Sequence, residues 1–397
     1  MVGRTSASNL DRVRSALSRV DWDFPGAGTA KSSLHAIHWF PGNFIPQIPR
    51  FLTQLLSLPG DLVYDPFCGT GTTPIEAALQ NRFGLGSDAS ATALHVAAGK
   101  KALLESGDLI QIAAGRAQEA LTWPHLVASR DPGNNREGSN PELLAWYHPH
   151  TLDELRGIWR LSVECVNNQA RPALEVVFTD TLFACASTGG SRTSTGGTRR
   201  HHWGWIADNV KPKTLTPQPV VDIFQTKLNR LLRVALRLRG TESAQCSIVL
   251  ADARQLPMQK GCVDLVVTSP PYLGMIDYTL AARLTHLWYN WPMVESQRRE
   301  IGARYRRGRA DARDVYAQAM SAAAGAIGES IRPGGYCAII IGASRRFPLA
   351  RDSAVASFGS SMELIWGPTV RRPTRRRVSE RAGREVEEVL CVYQRPE

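Results

Sequence analysis

Short apolar runs open and close this chain's ordered pattern, with a long irregular stretch between them. Residues 1–30 are polar and weakly periodic, and DFPGAGTAKSS reads as a loop. From Gly60 the pattern becomes strand, turn, helix, strand. LVYDPF is a run of the buried parallel-strand type. After CGTGTT comes TPIEAALQ, a helix with a start signal: Thr73 as cap, Pro74 at the first helical position and Glu76 completing a capping box. FGLGSD reads as a second strand ending at Asp88, and residues 90–104 as a second helix. The alternation then stops for residues 101–245. ELLAWYHPHTLDELRGIWRLSVECV and VVDIFQTKLNRLLRVALRL are helical there, while DPGNNREGSNP and STGGSRTSTGGTRR are turn-rich loops. Strand grammar resumes with CSIVLADARQLP and CVDLVVTSPPY. A helical region at 311–330 leads to a fifth strand, GGYCAIIIGAS, and MELIWGPTV with EEVLCVYQ reads as a closing hairpin. The pattern predicts an α/β domain with a mostly parallel sheet and one large, mainly helical insertion. Its parts are an N-terminal extension (1–34), a catalytic domain (35–100 and 246–397), and the insertion (101–245).

Composition narrows the class. The 397 residues are 43% hydrophobic, which suits a globular protein. No apolar run nears the ~18 residues of a membrane span, and the N-terminus lacks a secretory apolar core. Seven scattered cysteines without a CxxC favour a reducing cytoplasm over a disulfide or zinc framework. His148, His150, His201 and His202 lack partners at ligand spacing, so no metal is expected. Lys+Arg 47 against Asp+Glu 36 leaves a net charge of +11. From Arg298 onward 19 Arg and no Lys face 11 acids, so +8 of that excess sits in the last quarter. Such a balance suits a polyanion, nucleic acid above all.

Two constellations carry candidate chemistry. Asp65-Pro66-Phe67-Cys68-Gly69-Thr70-Gly71-Thr72-Thr73 lies at a strand-to-helix junction, where glycines let backbone approach a ligand. Pro74 stands where a dinucleotide fingerprint needs glycine, and the Lys of a P-loop is missing. The loop therefore suits a nucleoside with little or no phosphate, and Asp88 at the end of the next strand is placed to grip ribose hydroxyls. The second constellation is Thr268-Ser269-Pro270-Pro271-Tyr272 after a strand. Two prolines stiffen the turn and leave its carbonyls free to accept. The Ser269 hydroxyl and Pro270 carbonyl could hold an exocyclic amine, with Tyr272 stacking on the attached ring. Drawing on the amine's hydrogens localises its lone pair for attack on a methyl sulfonium.

In this order the two motifs resemble those of the amino-group DNA methyltransferases that use S-adenosylmethionine. DPFCGTGTT looks like their motif I and TSPPY like their motif IV. His38-Trp-Phe-Pro-Gly-Asn-Phe44 is similar to their motif X, whose aromatic and proline residues pack near the cofactor's methionine end. Asp88 falls at motif II, and Ala251-Asp252-Ala253 is similar to motif III, whose acid meets the adenine amine. The resemblance implies a Rossmann-like class I methyltransferase fold with a mostly parallel seven-stranded sheet. It implies cofactor contacts from Phe40, Phe44, Asp65, Phe67, Gly69, Gly71, Thr72, Thr73, Asp88 and Asp252, and catalytic roles for Ser269, Pro270, Pro271 and Tyr272. Ser before Pro-Pro-Tyr favours N4 of cytosine over N6 of adenine, and C5 chemistry is disfavoured because the chain contains no Pro-Cys pair. One departure stands out: the large block lies between motifs II and III, so its position does not by itself make it the target-recognition region.

The resemblance further implies double-stranded DNA as substrate, with base flipping. It implies a restriction–modification or defence role beside a cognate endonuclease or other defence proteins, in a prokaryotic cytoplasm. Weaker readings are an RNA or protein amide methyltransferase and an inactive DNA-binding subunit with a vestigial cofactor fold. Arg192, Arg199, Arg200 and Trp203 combine phosphate-binding charge with a base-stacking aromatic. Arg345 and Arg346 directly follow the fifth strand. The 298–309 and RRPTRRR (371–377) segments are further Arg-rich edges. Asp277-Tyr278, just past motif IV, is placed either to line a base pocket or to cap a helix.

Overall fold

Seven apolar runs pair into a single sheet: β1 (Leu62–Asp65), β2 (Phe83–Asp88), β3 (Cys246–Leu250), β4 (Val263–Thr268), β5 (Ile331–Gly342), β6 (Glu363–Arg371) and β7 (Glu388–Gln394). The computed structural model describes residues 7–25, 33–42, 45–122, 137–164, 166–188, 199–200, 203–212, 214–241, 243, 245–372 and 387–397. In space the strands run β3-β2-β1-β4-β5-β7-β6. The first five pair in parallel, and β7 is antiparallel to both β5 and β6. This is a mostly parallel, Rossmann-like seven-stranded sheet. Because β2 and β3 lie on one side of β1 and β4 on the other, the strand order reverses between β1 and β4. A crevice opens at the carboxyl ends there, where the loops of both sequence constellations emerge.

The central strands are buried on both faces, which is why they read as continuous apolar runs and not as alternation. Val63, Leu265, Val267, Ala338, Ile340, Leu390 and Val392 point to one face. There they meet α1 (Ala7–Ser18) through Val13 and Leu17, and α2 (Gln47–Leu56) through Ile48, Leu52 and Leu56. The polar first stretch of the chain thus supplies a helix to the core, held by three buried apolar residues (Val13, Leu17, Trp22) that weak periodicity concealed.

Between β1 and β2 runs α3 (Thr72–Ala78), and after β2 come α4 (Ala91–Glu105) and α5 (Gly107–Leu121). The chain from there to β3 adds α6 (Pro149–Trp159), α7 (Arg171–Cys185) and α8 (Val220–Leu238). The expected long helix over 142–166 is interrupted: a 3-10 turn (Pro141–Ala145) precedes α6 and a π turn (Arg160–Glu164) follows it. α7, absent from the sequence expectation, is the buried centre of this block. It packs on α4 and α8 with Trp159 and Trp288 against Phe178. Gly99 permits the α4–α7 approach, since a Cβ there would lie 2.3 Å from Val176 and 2.8 Å from the Pro172 carbonyl. The block shares one continuous apolar core with Ile75, Ala78, Ala93 and Val96 of α3 and α4.

The opposite sheet face carries Tyr64, Val266, Cys337, Ile339, Ile341, Cys391 and Tyr393. Past β4 lie α9 (Tyr278–Ala281), α10 (Arg283–Tyr289) and α11 (Met293–Arg299). α12 (Ala312–Ser330) and α13 (Ala350–Gly359) cover that face through Met320, Ile327 and Phe358. Among the described residues no helix is long and apolar enough to cross a membrane.

Candidate functional site

A cleft of about 740 Å³, open to solvent, sits at the strand reversal. Seven of the expected cofactor and catalytic residues line it, Phe40, Phe67, Gly69, Asp88, Asp252, Ser269 and Pro271, and so does Tyr278. The β1–α3 loop forms its floor. Gly69 and Gly71 take φ values of +50° and +77°, the left-handed region that favours glycine. No atom lies within 4 Å of where a Gly69 Cβ would be, so a side chain there would project into open space.

The start of α3 corrects the expected capping box. Gly71 is the N-cap and no side chain caps the helix. Thr73 Oγ1 donates 3.1 Å to the Val267 carbonyl, tying α3 to β4. Glu76 instead takes the His35 ring at 2.8 Å and Arg50 at 2.8 Å. Thr72, Thr73 and Gly71 therefore lie beneath the cleft wall, not on it. So does Asp65, which is fully buried. It accepts from Thr268 Oγ1 at 2.6 Å and from the Phe67 amide at 3.0 Å. Burial pushes its carboxyl up to about 7. Lys100 is buried under the same loop, donates 2.7 Å to Thr70 Oγ1, and is lowered by desolvation to about 7.

Asp88 braces the loop. Its two oxygens accept from the Gly69 and Ser90 amides at 2.9 and 2.8 Å, and burial raises its pKa. Ser90, also on the cleft wall, caps α4 through the Ala93 amide. Asp252, after β3, is gripped by Arg254 at 2.9 and 3.1 Å.

On the β4 side, Ser269 and Pro271 reach the cleft while Pro270 is buried behind them. Tyr272, singled out to stack on a ligand ring, is not among the residues that line the cleft. Its ring lies over the end of β5, where a Cβ on Gly342 would come within 2.8 Å, and its hydroxyl sits 3.5 Å from Ser269 Oγ. Tyr316 stiffens the turn by donating 2.9 Å to the Pro271 carbonyl. The aromatic that does face the cleft is Tyr278, stacked on Phe40 at 6.2 Å and 12°. Asp277 neither lines the cleft nor caps α9 by its side chain. It accepts from the Tyr305 amide at 2.7 Å and Arg304 at 3.0 Å.

The loop carrying Phe40 is pinned from α7. The Trp39 ring stacks on Phe183 at 3.9 Å, and its amide donates 3.1 Å to Asp180. His38 is lowered to about 3 by burial, and its neutral Nδ1 accepts from the Phe40 amide at 3.1 Å. Phe44 lies outside the described residues.

Arg299, Glu300 and Ile301 complete the wall. Sequence reading placed them in an Arg-rich edge, and no local pattern sets Glu300 apart from the other acids. The remaining basic candidates separate. Arg345 and Arg346 are exposed just beyond β5, with Arg313 and Arg346 flanking the Phe347 ring at 5.5 and 5.8 Å. Phe347 touches Gly274 of the loop after Tyr272, which sets this basic group beside that loop. Arg371 is no phosphate ligand: it is buried in an ion pair with Glu388 and donates to the Trp22 carbonyl. Arg304 is likewise committed to Asp277 and Asp208. Arg192 and residues 373–377 lie outside the described residues. Arg199–Arg200 pairs with Ser187–Thr188 in a two-residue ladder, and Trp203 begins a short helix.

A family model described as a DNA methylase matches residues 15–99, which carry the Phe40 loop, the glycine loop and Asp88. That segment is similar to the N6/N4 DNA methylase family. The matched residues end before Ser269, so the likeness covers the glycine-loop side of the cleft alone. No curated protein matches the sequence. Among solved structures, TrmN from Thermus thermophilus is 13% identical with a TM-score of 0.32 over 89% of this chain. This chain spans 50% of that protein's length. The rRNA methyltransferase aviRa from Streptomyces viridochromogenes is 14% identical at 0.32, covering 85% of this chain and 87% of its own. A possible methylase from Clostridium difficile 630 is 11% identical at 0.29, covering 91% and 56%. At these scores neither substrate nor site passes from those proteins to this chain.

Proposed function

We propose that this chain transfers a methyl group from S-adenosylmethionine to the N4 amine of cytosine in DNA. The supporting observation is a single cleft that joins the glycine loop, Asp88 and Asp252 on one side to Ser269 and Pro271 on the other. The residues fit the methyl donor. Open space above Gly69, aromatic surface from Phe40 and Phe67, and two carboxyls suit a nucleoside bearing an amino-acid arm. When bound, S-adenosylmethionine supplies an electrophilic methyl on sulfur. Asp88 would take the ribose hydroxyls, Asp252 the adenine amine, and Phe40 the methionine end. The Ser269 hydroxyl and the Pro270 carbonyl would accept the target amine's hydrogens. A base inside a duplex cannot reach so recessed a turn, so the reading requires base flipping, with an unstacking cost of a few kcal/mol.

Adenine N6 is the alternative, because both amines present the same donor hydrogens to Ser269. Residues 101–245 are proposed as the target-recognition region, and a restriction–modification or defence role follows from that reading. Duplex DNA incubated with labelled S-adenosylmethionine and digested to nucleosides tests it by mass analysis. N4-methylcytosine is the expected product, N6-methyladenine would install the alternative, and label on RNA alone would overturn both. Ser269→Ala is expected to lower turnover roughly 10²-fold or more, the scale of losing one contact at the reacting centre. Its affinity for S-adenosylmethionine should be unchanged by calorimetry.

A further inference from the structure

One carboxyl on the cleft wall has an oxygen without a partner. Glu300 Oε1 accepts from the Thr279 amide at 2.5 Å, while Oε2 is buried and makes no hydrogen bond. The other two acids of the wall are engaged, Asp88 by backbone amides and Asp252 by Arg254. Leaving a carboxylate oxygen buried and unpaired is costly, so such an atom calls for a donor from the ligand.

The ligand end it serves follows from its neighbours. Glu300 belongs to a segment laid along the loop after Tyr272: Gly274 donates to the Gly302 carbonyl at 2.8 Å, and Arg304 to the Ile276 carbonyl at 3.3 Å. That pairing, with the Thr279 amide on Oε1, ties Glu300 to the stretch that follows Tyr272, in the same cleft as Ser269, Pro271 and Tyr278. Resting on the amino-methylation reading, we infer that Glu300 is a further catalytic residue. Its Oε2 accepts a hydrogen of the target amine and takes the proton that methylation releases. As nitrogen bonds to the methyl carbon, the carbon–sulfur electron pair stays on sulfur. The nitrogen's surplus proton passes to Oε2 and then to solvent when the site opens.

The environment suits that task. Burial, aided by Asp277, raises the Glu300 carboxyl to about 7, against the opposing pull of the Thr279 hydroxyl, the Thr279 amide and Arg306. A base poised near working pH both accepts and returns a proton readily. The other charged or titratable groups facing this corner are Asp277 and Tyr278 from the adjoining loop, Arg299, Arg304 and Arg306 from its own segment, and Asp252, paired with Arg254 and drawn also by Arg299.

The test is Glu300→Gln, whose amide oxygen can still take the Thr279 amide. Calorimetric affinity for S-adenosylmethionine and the melting temperature should match wild type. Turnover on DNA at pH 8 should fall by roughly 10²-fold, the lower end of a general base's contribution. The ratio of wild-type to variant kcat/KM should shrink towards unity as pH drops through about 7, because only wild type loses an ionised carboxylate there. Equal turnover, or a ratio independent of pH, would overturn the assignment. So would weakened cofactor affinity with unchanged turnover at saturation, which would place Oε2 on the donor's ammonium group. Wild type inactive on every DNA would overturn the methylation reading as well, so the two failures are distinguishable.

Discussion

At the scale of single residues, the cleft is built on buried groups that are difficult to ionise. Asp65 is the clearest: it hydrogen-bonds Thr268 and the Phe67 amide, yet burial holds it near 7, well above an unfolded carboxyl near 4. A folded pKa raised in this way contributes stability that is fully present below the unfolded value. That contribution is lost as pH rises through the folded one. Asp65→Asn keeps both accepted hydrogen bonds and removes the titration. Its unfolding free energy should therefore gain on wild type as pH rises from 4 to 7, by up to about 1.4 kcal/mol per unit. Urea titrations at several pH values would measure this, and a constant difference would refute it. Lys100 adds the opposite slope at higher pH, because its lowered pKa is the depressed-cation counterpart. Neither shift could be read from sequence, since both arise from helices that close over the loop.

At the scale of elements, α7 connects the helical block to the site. It pins the loop that carries Phe40, with Phe183 against Trp39 and Asp180 on the Trp39 amide. An aromatic pair of this kind is worth about 0.5–1.5 kcal/mol beyond its buried area. Phe183→Ala should thus loosen Phe40 and weaken S-adenosylmethionine binding by roughly tenfold, about 1.4 kcal/mol. Phe183 lies outside the cleft, and at saturating cofactor turnover should recover. Calorimetry paired with steady-state kinetics would separate that result from a defect in chemistry. Helix α7 escaped sequence reading because it is apolar nearly all round. A helix buried on every side loses the 3.6-residue stripe that marks a surface helix. α1 escaped for the converse reason, since among its described side chains only Val13 and Leu17 are buried apolar anchors.

At the scale of the whole molecule, the excess of +11 becomes selective once the ion pairs are placed. Arg371, Arg304 and Arg254 are bound within the fold, whereas Arg345 and Arg346 stand exposed beside the Ser269 loop. If that face meets the DNA backbone, binding should weaken by ~10³-fold or more between 50 and 200 mM salt, provided several phosphates are contacted. Fluorescence anisotropy on a labelled duplex would measure the slope, and Arg345→Ala with Arg346→Ala should make it shallower. An unaltered slope would move the DNA-facing surface elsewhere.

The sequence by itself determined the strands, their order of appearance and the two turns that meet at the cleft. Those features rest on local rules: apolar runs bury, glycine takes positive φ, and proline removes donors. Gly69, Asp88, Asp252 and Ser269 were legible for that reason, and they converge on one cleft. Only the tertiary structure decided which long-range partners each side chain found. It gave Glu76 to His35 and Arg50 in place of a helix cap, turned Tyr272 towards β5 and Tyr278 towards the cleft, and left Glu300 with a free oxygen. These outcomes depend on groups tens to hundreds of residues apart competing for the same space and the same hydrogen bonds. No spacing along the chain encodes that competition.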